Sequence, residues 1–246
     1  MNSTRKTALA AGILFALTFI TAIAGAIAYG PILTNARSIL AAGAGTRVAW
    51  GTVFELLLVI ANVGTALVLL PILTRHNEAL ALAYVVARVV EGLIIIVGAL
   101  SLLSAVSLRP AGATGAEATS LLTTGRFLVA MHTGTSLLGP GLLGPGATGI
   151  LLGWLLYRSG LVSRAMGCLG LIGGSLAVAS GIAVLFGAYS LNSVWSGIAT
   201  FPEVLWEGGV LSIWLIVKGF RAAPLTNELP APSEGGPSRP LTAVAR

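Results

Sequence analysis

Residues 79–104 have the sequence ALALAYVVARVVEGLIIIVGALSLLS, in which Arg88 and Glu91 are the only charged residues. The hydrocarbon core of a bilayer is about 30 Å thick, and a helix of about 20 apolar residues crosses it. This stretch is long enough and apolar enough to cross. It therefore predicts a transmembrane helix that carries two opposite charges near its middle.

Long apolar runs with few charges recur along the chain, and they predict six spans. We expect these spans at about 8–30, 48–74, 79–104, 127–157, 165–188 and 202–218. Together they predict an all-α, polytopic transmembrane helix bundle over residues 1–221. The sixth span is short, so we expect it to begin a few residues earlier or to tilt little. Residues 222–246 are rich in proline and predict a disordered cytoplasmic tail.

Composition supports a membrane protein over a soluble one. Charged residues make up 9% of the chain and hydrophobic residues 56%, against about 25% charged residues in soluble domains. A soluble protein of this composition would expose large apolar patches, which associate. The net charge of +6 comes from basic residues spread singly along the chain, so no nucleic-acid surface is expected. The lipid bilayer is the expected partner.

The distribution of Lys and Arg predicts that both ends of the bundle face the cytoplasm. Cytoplasmic loops carry an excess of these residues. With the N-terminus inside, the cytoplasmic side has Arg5, Lys6, Arg75, Arg158, Arg164, Lys218 and Arg221, and the outer side has Arg37, Arg47, Arg109 and Arg126. A signal peptide is an alternative for the first span, but this span is longer than the usual apolar core of about 7–15 residues.

Several ionisable residues fall inside the predicted spans. Each charge at a helix centre costs about 2.5–3.5 kcal/mol, so four of them imply a cost of about 10 kcal/mol if unpaired. Their depths are compatible with one shared cluster, in which Arg88 and Glu91 at i,i+3 share a helix face. The candidate residues for a ligand or proton site are Glu55, Asn62, Arg88, Glu91, His132 and Glu207.

The charges in this candidate site do not balance. Glu55, Glu91 and Glu207 oppose one permanent cation, because arginine stays protonated. Arg88 offsets one carboxylate, and a protonated His132 would offset a second. We therefore expect at least one glutamate to be uncharged and able to carry a proton. An alternative is that the polar residues only fasten the helices together through interhelical bonds.

A stretch rich in glycine and proline lies inside the fourth span. Prolines remove backbone donors and glycines lower helix propensity, so we expect a kink or break there. Its G-x-G-x-x-G spacing does not indicate nucleotide binding, because no strand precedes it. The predicted break consists of Gly139, Pro140, Gly141, Gly144, Pro145 and Gly146.

Motifs of common enzymes and metal sites are not found in the sequence. It contains no P-loop, HExxH or CxxC motif and no Asp, and it has one cysteine, Cys168. We therefore expect no cofactor, no metal and no catalytic residue. A Ser–His–Glu arrangement stays open on composition, because Ser136 follows His132 by four residues.

Several motifs resemble one bacterial family. They are residues 137–141 (LLGPG), 153–164 (GWLLYRSGLVSR), 206–207 (WE) and 214–220 (WLIVKGF), together with Arg47 and Glu55, and Arg88 and Glu91. The chain resembles the membrane family called domain of unknown function 4386 over about residues 7–221. This resemblance implies a six-helix bacterial membrane protein and implies no activity.

Three functions are compatible with these observations. The first is a multi-pass protein of the bacterial plasma membrane whose buried Glu/Arg site binds or translocates a small solute or ion, coupled to protons. The second is a membrane interaction or structural protein whose buried charges only fasten the bundle. The third is an intramembrane enzyme that acts on lipid. The sequence does not indicate an oligomeric state.

Overall fold

The computed structural model describes residues 3–108 and 115–221, and for residue 3 and residues 115–118 it describes the backbone alone. Within these ranges every regular element is a helix, and six helices are long and apolar enough to cross a membrane. The predicted six-span, all-α fold is confirmed. The predicted tail at 222–246 lies outside the described residues.

Eight α-helices lie within the described ranges, and two of the six spans are built from more than one of them. The first three spans are α1, α2 and α3, the fourth contains α4 and α5, the fifth is α6, and the sixth contains α7 and α8. The helices are α1 (Ser3–Thr34), α2 (Ala44–Leu73), α3 (Glu78–Ser107), α4 (Gly115–Leu138), α5 (Gly153–Ser159), α6 (Arg164–Leu185), α7 (Val194–Val204) and α8 (Ser212–Val217).

An even number of spans places the start of α1 and the end of α8 on one side, here called the terminal face. The other side is called the opposite face. Tight turns on both faces are set by capping side chains. Asn77 accepts a hydrogen bond from the backbone N–H of Leu80 at the start of α3, and Ser193 caps α7 in the same way. Such caps satisfy N–H groups that a helix start leaves free.

The fourth and sixth spans contain π-helical turns near their centres. These turns occupy Gly139–Leu143 and Gly146–Leu152 in the fourth span and Leu205–Leu211 in the sixth. The glycine–proline stretch is thus helical throughout, so the fourth span is not broken there, and its departure from a regular α-helix is a pair of widened turns. Pro140 and Pro145 lack backbone N–H donors and lie within or next to these turns. π-turns are frequent at functional sites.

The sixth span begins at Val194, eight residues before the expected start at 202. The N-cap at Ser193 sets this boundary, and Pro202 lies inside the helix. The earlier start matters because it moves Glu203 from the predicted membrane boundary to about nine residues inside the helix, or roughly 14 Å deep.

Helix packing leaves a cleft on the opposite-face half of the bundle. There α1 packs on α2, α2 on α3 and α3 on α4, and α4 also contacts α1, while α7 packs on α6. The two groups meet through the π-helical segments at the centre and through α1 and α8 near the terminal face. The hydroxyl of Ser212 donates to the carbonyl of Gly12 (3.0 Å) at this second junction. The bundle is therefore closed toward its terminal face and splayed toward the opposite face.

Glycines bring the fourth and fifth spans into backbone contact. A Cβ atom added to Gly149 would lie 2.4 Å from the Cα atom of Gly174, and one added to Gly153 would lie 3.2 Å from the backbone nitrogen of Leu171. No other residue type allows this approach. The close contact fixes the widened turns of the fourth span next to the centre of α6.

Candidate functional site

Arg88 is the centre of a buried charge network. It lies on α3 with 2% of its surface exposed, and its Nη1 atom donates to Glu91 Oε2 at 2.8 Å. Its Nη2 atom donates to Oε1 of Glu207, which projects from the π-helical turn of the sixth span. The sequence predicted that these three residues share a cluster, and in the structure Arg88 contacts both carboxylates. One guanidinium thus bridges two carboxylates from two spans.

Two further side chains complete the surroundings of Arg88. Asn62 of α2 lies with its Nδ2 atom 3.4 Å from Glu91 Oε1, a long hydrogen bond. The ring of Tyr84, one turn before Arg88 on α3, lies below the guanidinium with 5.8 Å between its centroid and the Arg88 Cζ atom. A cation over an aromatic face gains energy from the ring quadrupole. Arg88 therefore contacts Glu91, Glu207 and the ring of Tyr84, while Asn62 contacts Glu91.

A cavity of about 160 Å³ lies directly beside this network. Its floor is formed by Arg88, Glu91 and Asn62, which are buried, and by Glu207, whose side chain is 17% exposed. Its walls include aromatic and aliphatic side chains of α1 and α2, among them Phe15. A cavity of about 150 Å³ accommodates a benzene molecule, so this one has room for a ligand of about six non-hydrogen atoms.

The mouth of the cavity lies in the cleft between α1 and α7. Ala22 of α1, Pro140 of the fourth span and Val204 of α7 border the cavity and are exposed on the bundle surface. They lie close to the middle of their spans, where α1 and α7 separate toward the opposite face. The cavity thus connects the opposite-face cleft with the charge network at its floor.

The widened turns of the fourth span border the floor. Gly144 approaches Glu91 so closely that an added Cβ atom would lie 2.8 Å from Glu91 Oε1. Pro140 and Pro145 also line the cavity. The glycine–proline stretch, predicted as a separate feature, is therefore part of the same site as Arg88 and Glu91.

Sequence reasoning missed Glu203, a charged residue of the site that was not among the candidates. Its side chain lines the cavity, 3% of its surface is exposed, and neither carboxyl oxygen has a hydrogen-bond partner among the described residues. A signal was present in the sequence, because Glu203 and Glu207 are spaced i,i+4 and share a helix face. Placing the start of the span at 202 hid this signal by assigning Glu203 to the membrane boundary.

Glu55 and His132 form a second cluster apart from Arg88. His132 Nε2 lies 3.2 Å from Glu55 Oε1, and the hydroxyl of Tyr29 donates to Glu55 Oε2 at 3.0 Å. Glu55 precedes Asn62 by seven residues, which is about two helical turns or about 10 Å along α2. The expected single cluster is therefore two clusters at different depths, and Glu55 and His132 do not line the cavity beside Arg88.

The second cluster has the order of a Ser–His–Glu arrangement but not its geometry. Ser136 Oγ lies 3.5 Å from His132 Nδ1, at the limit of a hydrogen bond, and its hydroxyl donates instead to the backbone carbonyl of His132 at 2.8 Å. A serine nucleophile has to donate its proton to the imidazole. This geometry gives Ser136 no such activation.

The donor set of the cavity does not suit a metal ion. Within residues 3–108 and 115–221, no three His, Cys, Asp or Glu side chains are grouped so that they could hold one. The chemistry that the cavity offers is a network of one guanidinium and several carboxylates under an apolar wall. Such a network can hold a charged group or a proton.

The family model described as domain of unknown function (DUF4386) matches residues 10–219. The chain belongs to the DUF4386 family. The match covers all six spans of this DUF4386 protein, and it confirms the family indicated by the sequence motifs. No curated protein and no solved structure matches the chain. The description of the DUF4386 family states no activity, so the evidence on function is the cavity and its charges.

Proposed function

We propose that this integral membrane protein binds a small solute in the cavity beside Arg88 and translocates it with coupled movement of a proton. The observation that carries the proposal is the cavity of about 160 Å³ whose floor is the Arg88–Glu91–Glu207 network. Ionisable groups in the membrane interior are costly, and they mark ligand sites and proton relays. Here they border open space that a ligand can occupy.

The direction of access follows from the cleft. The mouth at Ala22 and Val204 opens on the opposite-face half. The Lys and Arg distribution favours a bundle with both ends in the cytoplasm of a bacterium, which makes the opposite face the outer one. A solute would then enter from outside. Movement of the sixth span at its π-helical turn would open the cavity toward the other side.

Fastening of the bundle is the second candidate function, and the second cluster favours it. Tyr29, Glu55 and His132 come from three different helices, α1, α2 and α4, and bond to each other. Polar groups of this kind hold membrane helices together without a ligand. This explanation suits the second cluster, but a fastening role alone would not require a cavity beside Arg88.

Cysteine accessibility distinguishes solute binding from fastening. In a background in which Cys168 is replaced by Ala, Ala22→Cys places a thiol at the cavity mouth. Ile20→Cys places a thiol at nearly the same depth on another face of α1, exposed on the bundle surface and outside the cavity lining. Sealed vesicles are treated with a water-soluble cationic methanethiosulfonate from the side of the opposite face.

We expect the thiol at position 22 to react faster than the thiol at position 20, because only position 22 faces the cavity and only the cavity admits water. Equal and negligible reaction at both positions would contradict the proposal and support a dry, fastened bundle. Reaction of both variants at the rate of a free thiol would also contradict it, since it would show a locally unfolded α1.

A further inference from the structure

Glu203 is a buried carboxyl group without a hydrogen-bond partner in the part of the chain that the structure describes. Its Oε1 and Oε2 atoms have no hydrogen bond within the described residues. A Cβ atom added to Gly149 would lie 2.8 Å from Glu203 Oε2, so the glycine leaves space for the carboxyl group against the fourth span. The free side of Glu203 lines the cavity beside Arg88.

Neither protonation state of Glu203 is satisfied by the protein alone. An ionised carboxylate requires donors, and a protonated carboxyl group requires an acceptor for its own proton. Arg88 is the cation of the cavity floor; its Nη1 and Nη2 atoms bond Glu91 and Glu207, and its Nε atom has no hydrogen bond to Glu203. Buried polar groups without partners are rare and indicate an additional molecule. The partner of Glu203 therefore has to come from the cavity.

The charge around Glu203 selects the sign of that partner. With Glu91 and Glu207 ionised against Arg88, the floor carries one net negative charge, and an ionised Glu203 would add a second. These are the charged groups that line the cavity on α3, α7 and the π-helical turn of the sixth span. An anion would be repelled. A cation would be attracted, and the attraction is strong because few water molecules screen it.

The cavity wall selects the chemical class of the cation. Phe15, Phe19, Leu58 and Val204 line the space next to the carboxyl groups. Hard metal ions bind about six to eight oxygen ligands, whereas this wall offers carbon atoms. An organic cation can place its hydrocarbon part against the wall and its nitrogen against Glu203. Aromatic faces also attract cations.

We propose that Glu203 anchors a small organic cation with N–H groups, such as a protonated primary amine, and that binding displaces a proton from Glu203. This inference rests on the proposed solute-binding function and adds the ligand class. In the empty site the Glu203 carboxyl group keeps its proton. When the ammonium enters, the O–H bond breaks, one proton leaves to solvent, and the carboxylate accepts an N–H hydrogen bond.

Calorimetric titration of the full-length protein in nanodiscs tests this inference with three probes of similar size. Cyclopentylammonium is a cation with N–H groups, tetramethylammonium is a cation without them, and cyclopentanol is neutral. Repeating the titration in buffers with different ionisation enthalpies counts the protons released. We expect cyclopentylammonium to bind at least about tenfold more tightly than the other two probes and to release about one proton.

Two variants test whether Glu203 is the group responsible for cyclopentylammonium binding and proton release. Glu203→Gln keeps the shape of the side chain, and it should weaken cyclopentylammonium binding by about tenfold or more and abolish proton release. Glu78→Gln changes an exposed carboxylate at the start of α3 and should leave both quantities unchanged. Equal binding of the three probes, or unchanged proton release in Glu203→Gln, would overturn the inference.

A chemical measurement on the wild-type protein covers the case in which Glu203→Gln does not fold. Dicyclohexylcarbodiimide modifies protonated carboxyl groups in apolar surroundings. Mass spectrometry should find Glu203 modified ahead of Glu91, and cyclopentylammonium should slow the modification. No modification at Glu203, or modification that cyclopentylammonium does not slow, would overturn the inference. The proposed function itself is tested separately by the reactivity of the thiol at position 22, so its failure is distinguishable from that of the present inference.

Discussion

Replacing Arg88 by Met is the most informative perturbation of the charge network. Methionine preserves much of the volume and removes the guanidinium, which leaves Glu91 and Glu207 without their cation. Removing one partner of a buried ion pair costs about 3–5 kcal/mol. The side chain of Glu207 is 17% exposed to the cavity, and it keeps part of its hydration. We therefore expect a loss of about 3 kcal/mol in unfolding free energy.

Reversible unfolding in mixed micelles measures this free energy, and a triple variant separates lost attraction from uncompensated charge. In Arg88→Met combined with Glu91→Gln and Glu207→Gln, no charge of the network is left. Replacing a whole buried ion network by neutral groups is often tolerated. We expect the triple variant to be more stable than Arg88→Met alone, which is a strongly non-additive result.

A surface substitution serves as the control for Arg88→Met. Arg75 is exposed in the turn after α2, and Arg75→Met should change the unfolding free energy by less than about 0.5 kcal/mol. The reasoning is refuted if Arg88→Met costs less than about 1 kcal/mol. It is also refuted if the triple variant loses the sum of the three single losses, because the charges would then act independently.

Two further predictions concern packing and the second cluster. Gly149→Ala should lower the unfolding free energy by about 1–3 kcal/mol, because its Cβ atom would overlap Gly174. Gly134→Ala is the control, since its Cβ atom would meet no atom within 4 Å. It should be neutral or stabilising by up to about 1 kcal/mol in the same unfolding assay. His132→Phe should cost about 0.5–1.5 kcal/mol through loss of the bond to Glu55, yet leave thiol modification at position 22 unchanged; a changed modification rate would connect the two clusters.

The number of spans and the local charge pair could be predicted from the sequence. Apolar length alone defines a membrane helix, because every span has to cover the same hydrocarbon thickness. The pairing of Arg88 with Glu91 follows from their i,i+3 spacing on one helix. A cluster that contains both Glu207 and Arg88 was also expected, because both charges required a partner inside the bundle, but which carboxylates would bond Arg88 was not predicted.

The separation of Glu55 from Arg88 could not be predicted from the sequence. Depths counted from uncertain span ends carry an error of several residues, and the two clusters differ by about two turns. The rotation of each helix about its axis depends on packing, such as the contact of Gly149 with Gly174, which joins distant parts of the chain. Sequence spacing defines faces within a helix but not which faces of different helices meet.

The expected start of the sixth span decided whether Glu203 was included in the candidate site. Its spacing from Glu207 predicts a shared face, but a span beginning at 202 placed it among lipid headgroups, where a carboxylate needs no partner. The helix begins at Val194 because Ser193 caps it, and a serine cap before an apolar run is a recognisable start signal. Giving that signal more weight would have added Glu203 to the candidate site.

An experimental structure in nanodiscs, at a resolution that shows ordered water, would show what occupies the cavity beside Glu203. We expect density for water or a bound cation in the cavity between Glu203 and the Arg88–Glu91–Glu207 network, within hydrogen-bond distance of the Glu203 carboxyl group. A collapsed cavity in which protein groups bond both oxygens of Glu203 would contradict this expectation.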